Sequence, residues 1–227
     1  MRVRDGRVRG LGLHLARLDA ANREMFGTGL DGERIRGYVR HAVPDSGEAQ
    51  VRVHVVEPEP GTEAAVLVVV RPAGAPRSAA LSLKSVPYQR SVAHLKHLGD
   101  FGQRHYLRLV QRDGFDEALL TGSDGVISEG AITNVGFLDA AGVRWPDAPA
   151  LAGTTRQLLE PRLPEHGLAS RTGPVFLADL PRFAAAFVTS ATGIAAVHRI
   201  DDLAIPVDAG LIETLRKAFD AVPWDVI

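Results

Sequence analysis

The sequence contains no cysteine and, among 227 residues, only two methionines, two tryptophans and three tyrosines. Without a thiol there is no disulfide, no thiolate metal site and no cysteine nucleophile. Lysine is nearly as scarce. Of the 26 basic residues only Lys84, Lys96 and Lys217 are lysine, so chemistry that needs a lysine amine has three candidates. Long apolar runs are missing too. The longest, Ala64 to Val70, falls far short of the roughly 18 residues of a membrane helix, and the opening MRVRDGRVRG has no signal-like apolar stretch. Net charge is also lacking: 27 acidic residues offset the basic ones to a formal -1, which removes the field that would draw the chain to nucleic acid or anionic lipid. Small molecules are therefore the expected partners, with no nucleic acid and no membrane, and a cytoplasmic enzyme or binding protein is the expected class.

What is present is ordinary globular material, with 45% hydrophobic and 23% charged residues, enough for one large or two small domains. Asp5-Gly6 is a favoured two-residue hairpin turn, pairing Val3 with Val8 and setting Arg4 opposite Arg7 and Arg2 opposite Arg9. Like charges so opposed are destabilising, so these arginines should meet water, an anion or acidic groups elsewhere. Leu11, Leu15, Leu18, Ala21 and Met25 recur at helical spacing before Gly27, and a second helix is predicted over 31–41. The period then changes to alternation around Val51, Val53 and Val55, with further strands over 64–71 and 79–85. After an aperiodic stretch with Pro87 and Gly99 come a helix ending at Asp113-Gly114 and short strands near 117–120, 125–128, 134–138 and 143–145. A helix starting at Thr154 meets Pro161, and strands over 186–189 and 195–200 precede a helix over 209–219.

Generic motifs fail. Gly10-Leu11-Gly12 lacks the third glycine of a dinucleotide fingerprint, and there is neither a P-loop nor a G-x-S-x-G elbow. His94, His97 and His105 have no carboxylate partner at a metal-ligand spacing, so no metal site is expected. A stronger constellation runs through LKHLGDFGQRHY, GFDEALLTGSDGVISEGAITNVGF and PALAGTTRQLLE, which supply one of the three lysines, Glu129 within E-G-x-x-x-N, and Gly153-Thr154-Thr155 opening a helix. With His14-x-x-Arg17-Leu18 upstream, and Phe187-Val188-Thr189-Ser190 and Ile200-Asp201 downstream, the chain resembles the class IV aminotransferases. These are the fold-type IV pyridoxal phosphate enzymes that include branched-chain and D-amino-acid aminotransferases and aminodeoxychorismate lyase.

The resemblance covers nearly the whole chain. It implies a two-domain α+β fold like that of D-amino-acid aminotransferase, with a small domain over 1–86, a junction over 87–93 and a large cofactor-binding domain over 94–227. It further implies a homodimer, pyridoxal 5'-phosphate as cofactor, and transamination between an amino acid and a 2-oxo acid. Elimination of the aminodeoxychorismate lyase type is the alternative, as is a family member that binds cofactor or ligand with impaired turnover. Lys96 falls at the family's Schiff-base lysine, whose freed amine can move a proton between the substrate Cα and the cofactor C4′. Glu129 matches the partner of the pyridine nitrogen, where an adjacent carboxylate raises that nitrogen's pKa. Arg17, Gly153, Thr154 and Thr155 match the phosphate site, where a helix N-terminus offers donors and positive potential. Ser190 and Thr192 lie where a third phosphate contact is usual. Thr133 and Asn134 complete the E-G-x-x-x-N element, Asn134 as a buttress of the turn.

The chain also departs from the pattern. Family members usually carry about 30 further residues before the hairpin, so the hairpin is expected to expose an edge and the small domain to be incomplete. Branched-chain relatives place a tyrosine five residues after the lysine, where this chain has Phe101. Tyr88, Arg90 and Tyr106 are the candidates to replace it or to grip a substrate carboxylate.

Overall fold

The computed structural model describes residues 1–59, 61–75 and 79–227, which divide into two compact units: Met1–Ala75 with Val222–Ile227, and Pro76–Ala221. The first unit opens with β1 (Arg2–Arg4) and β2 (Arg7–Arg9), in the predicted register of Val3 on Val8 and Arg4 on Arg7. The turn holds Asp5 at φ 48 and Gly6 at φ 67, the left-handed pair that matches strand twist in a tight hairpin. Helix α1 (Leu11–Phe26) ends on Gly27 at φ 74, and α2 (Gly32–Ala42) starts on Asp31, whose carboxylate accepts from the Glu33 and Arg34 N–H groups. Strands β3 (Glu48–Val56) and β4 (Ala65–Pro72) follow. Val3, Val8, Leu11, Ile35, Val51 and Ile227 form its core.

The sheet of this unit corrects one expectation. The final strand, Trp224–Val226, pairs antiparallel with β2, while β1 pairs with β3, giving the order terminal strand, β2, β1, β3, β4. Neither hairpin strand is an exposed edge, because three residues at the other end of the chain cover β2. The arginines are partnered as well: Glu48 takes both Arg2 and Arg4, and those hydrogen bonds hold its carboxyl below the usual range. Arg9 stacks on Trp224 at 4.6 Å from the ring centre.

The second unit is built on a nine-stranded sheet. Its elements are β5 (Leu81–Pro87), α3 (Phe101–Arg112), β6 (Glu117–Thr121), β7 (Ile127–Gly130), β8 (Asn134–Asp139), β9 (Gly142–Pro146), α4 (Thr154–Leu159) with a 3-10 extension (Glu160–His166), β10 (Ser170–Gly173), β11 (Ala185–Ser190), β12 (Gly193–Ile200), β13 (Leu203–Ala204) and α5 (Ala209–Asp220). The order is β10-β9-β8-β11-β12-β5-β6-β7, with β13 on β12. Pairings β9/β10, β5/β12 and β5/β6 are parallel and the rest antiparallel. Strand alternation sends Ala186 and Val188 into one core and Ala185 and Phe187 into another, the latter shared with Trp145, Leu159 and Leu215. The Phe187 ring comes so close to Gly136 that a Cβ there would collide with it. Pro161 turns α4 into the 3-10 extension, as expected of a proline that cannot continue the ladder.

The unit boundary falls at residue 75/76 rather than near 86. Strand β5 pairs with β12 and β6 and so belongs to the second sheet, and the expected junction over 87–93 lies inside the second unit. Alternation marks residues 81–87 as a strand without saying which sheet receives it. Among the described residues no helix is long and apolar enough to cross a membrane.

Candidate active site

Between β5 and α3 the chain has no regular structure. Ala93 and Leu95 are buried, at 4% and 5% exposure, and anchor the stretch, while Lys96 is exposed between Leu95 and His97. A turn hydrogen bond from Leu95 N to Val92 O, 2.9 Å, closes the segment before the lysine. Arg90 is buried beneath it. Its Nη1 donates to Ala93 O at 2.9 Å and to Glu129 Oε1 at 3.0 Å, and its Nη2 to Leu95 O at 2.9 Å.

Glu129 sits in β7 opposite Leu120, next to a register shift in the β6/β7 pairing. Its carboxylate is buried, accepting from Arg90 at Oε1 and from the Leu151 N–H at Oε2, 3.1 Å. Burial pushes its pKa up, opposed by the Arg90 hydrogen bond and charge, by the Leu151 N–H and by the charge of Lys96. The charge of Lys96 is the smallest of these influences.

The same loop links Glu129 to the start of α4. Asn134 donates Nδ2 to Leu151 O at 2.8 Å, so this residue steadies the segment entering α4 rather than its own turn. Gly153 lies so close to Asn134 that a Cβ there would collide with Oδ1. No side chain caps α4, which leaves its first N–H groups available to an acceptor. Thr155 Oγ1 donates to Ser190 O at 2.8 Å, and Ser190 Oγ and Thr192 Oγ1 lie 2.8 Å apart. Thr133, Thr154 and Thr189 each carry a buried hydroxyl oxygen without a hydrogen-bond partner, an arrangement that suits a polyanionic group able to take donors there. Gly153→Ala is therefore expected to displace Asn134 and raise the dissociation constant for pyridoxal phosphate about tenfold, roughly 1.4 kcal/mol, with little change in thermal stability. Fluorescence titration of the apoprotein checks this.

Among the sequence candidates, Glu129 and Asn134 meet at Leu151, Asn134 lies against Gly153, and Thr155, Ser190 and Thr192 form a second group; Lys96, Thr133 and Thr154 belong to the same unit. Thr189, paired with Asn134 across β11 and β8, was missed as a site residue although it lies within the quoted Phe-Val-Thr-Ser motif. Arg17 belongs to α1 of the first unit. It is half-buried, with desolvation holding its pKa below the usual arginine value, and its recorded partner is His14 Nδ1 at 3.4 Å rather than an acid. Tyr88 and Tyr106 pack on each other, ring centres 5.2 Å apart, against the cluster beneath α3. Arg90 differs from the open carboxylate grip considered from sequence, because both its terminal nitrogens are bonded inside the protein. Phe101 is 80% exposed and stacks on His105.

Residues 1–200 match the family described as Amino-transferase class IV, and the chain belongs to it: a fold-type IV, pyridoxal-phosphate-dependent transaminase. Among solved structures it is similar to a hypothetical aminotransferase from Mycobacterium tuberculosis in its α-ketoglutarate- and PMP-bound form, with 24% identity and TM-score 0.86 over 97% of this chain and 86% of that one. The fold IV transaminase CpuTA1 from Curtobacterium pusillum gives 26% identity and TM-score 0.85 over 97% and 84%. A putative 4-amino-4-deoxychorismate lyase from Legionella pneumophila gives 17% and 0.84 over 98% and 89%, a likeness of fold alone. A search of curated proteins returns no match.

Proposed function

We propose that Lys96, Glu129 and the start of α4 form the transamination site, that a 2-oxo acid such as α-ketoglutarate is the acceptor, and that the chain works as a cytoplasmic homodimer. The observation that carries this reading is the buried Glu129 carboxylate, bonded through Arg90 to the turn that leads to Lys96 and through the Leu151 N–H to the loop that enters α4. When bound, pyridoxal phosphate supplies a ring that withdraws electrons from the substrate Cα. The N–H groups at the start of α4 and the Thr154 hydroxyl, with Ser190 and Thr192, would bind its phosphate. Glu129 holds the ring nitrogen protonated by Coulombic attraction. With the cofactor bound, the Lys96 amine would take the proton from the substrate Cα and carry it on the same face of the site. Leu98 and Phe101, 62% and 80% exposed beside the lysine, are apolar surface of the kind a second copy covers.

The test is kinetic. With an amino donor and α-ketoglutarate varied together, the loaded protein should give parallel double-reciprocal lines and no multiple turnover when the oxo acid is omitted. Sustained release of pyruvate without an acceptor would instead assign elimination. Light scattering reads the dimer.

A further inference from the structure

The reaction as derived leaves a buried cation without a task. Arg90, its side chain 5% exposed, directs three hydrogen bonds to three acceptors, and two of these are main-chain carbonyls of the turn that ends at Lys96. The third is the Glu129 carboxylate on β7. The turn itself is strained: Val92 stands at φ 42, a left-handed conformation that is a genuine outlier for a β-branched residue. The residue is 51% exposed, so packing around it does little to hold the backbone there. Such a conformation persists only where the surroundings over-determine it, and the Arg90 fork with the Leu95 to Val92 bond provides that determination.

We propose that Arg90 is a positioning residue that clamps the turn over 91–96 onto Glu129, fixing the Lys96 amine in one frame with the carboxylate. The inference rests on the reading of Lys96 and Glu129 given above. A planar guanidinium reaches two carbonyls and a carboxylate at once, whereas an ammonium on a flexible stem is a point charge that does not reproduce the fork. If Arg90 served only to neutralise a buried carboxylate, lysine would replace it.

The test compares the parent with Arg90→Lys and Arg90→Met. In the apoproteins, amide hydrogen exchange at Leu95 should quicken about tenfold or more in both variants, while Leu119 in β6 stays protected as a control for global unfolding. In the loaded proteins kcat should fall about 100-fold, the scale on which small misplacements act, with KM for the amino donor little changed. Restoration of both Leu95 protection and kcat by Arg90→Lys would show that charge alone suffices and overturn the clamp. Unchanged Leu95 exchange in Arg90→Met would overturn it equally. Should Arg90→Met not fold, Arg90→Lys decides by itself, with a parent-like Leu95 refuting the proposal. A loosened Leu95 in a protein whose parent shows no transamination would leave the clamp standing and remove the functional reading instead.

Discussion

Lys96→Ala is expected to lower transamination on the order of 10⁴-fold, the upper range for removing a proton-transfer group, while pyridoxal phosphate still binds through its phosphate. The rival amines are committed elsewhere. Lys84 lies 3.5 Å from the Asp201 carboxylate and over the Phe115 ring, and Lys217 pairs with Glu213 one turn away on α5 at 2.7 Å. Both are ordinary surface pairs. Lys96 is the lysine whose charge reaches the buried carboxylate of Glu129, behind Arg90 and the Leu151 N–H. Borohydride reduction of the loaded protein, followed by peptide mapping, should place the pyridoxyl group on the peptide carrying Lys96. A label on Lys84 or Lys217, or substantial turnover in Lys96→Ala, would sink the assignment. Added methylamine, a small primary amine, should restore part of the lost rate if the missing function is proton transfer, and none if the variant has merely lost its fold.

Much of the fold was legible because local chemistry dictates it. Asp5-Gly6 sets the first register, Asp31 and Gly27 bracket helices as caps, and Val51, Val53 and Val55 alternate within β3. Glu129, Asn134 and Gly153 stood out by spacing, but what joins them did not. Asn134 reaches Leu151 across 17 residues and Arg90 reaches Glu129 across 39. Neither distance leaves a period in the sequence, because the partners meet through sheet pairing. The strand Trp224–Val226 escaped notice for another reason: three residues cannot show an alternation, and only β2 waiting at the edge makes them a strand. Arg90 stands in the sequence as a candidate grip for a substrate carboxylate because a sequence shows charge and hides burial.

Glu129→Gln is expected to lower kcat by about 10²- to 10³-fold, the usual cost of deleting one charge-stabilising group in a closed site, without weakening the apoprotein. The two effects separate a catalytic carboxylate from a structural one. If the Arg90–Glu129 pair held the fold together, breaking it would cost about 3–5 kcal/mol, and activity would fall only with the folded fraction. The direction of the Glu129 pKa argues otherwise. Burial raises it above the 4.5 of an ordinary glutamate despite Arg90, Leu151 and Lys96. A group whose folded pKa exceeds its unfolded value contributes stability that is complete below the unfolded pKa and disappears as pH rises through the folded one. The parent apoprotein should therefore lose stability between pH 4.5 and that raised value, while Glu129→Gln, permanently neutral and still able to accept from Arg90, should lack this component and be at least as stable at neutral pH. Bound cofactor opposes this shift, because a protonated ring nitrogen favours the carboxylate. Urea unfolding of both apoproteins across this range, beside kcat of the loaded forms, reads the two effects. A variant several kcal/mol weaker at every pH, with normal turnover per folded molecule, would make Glu129 a structural residue.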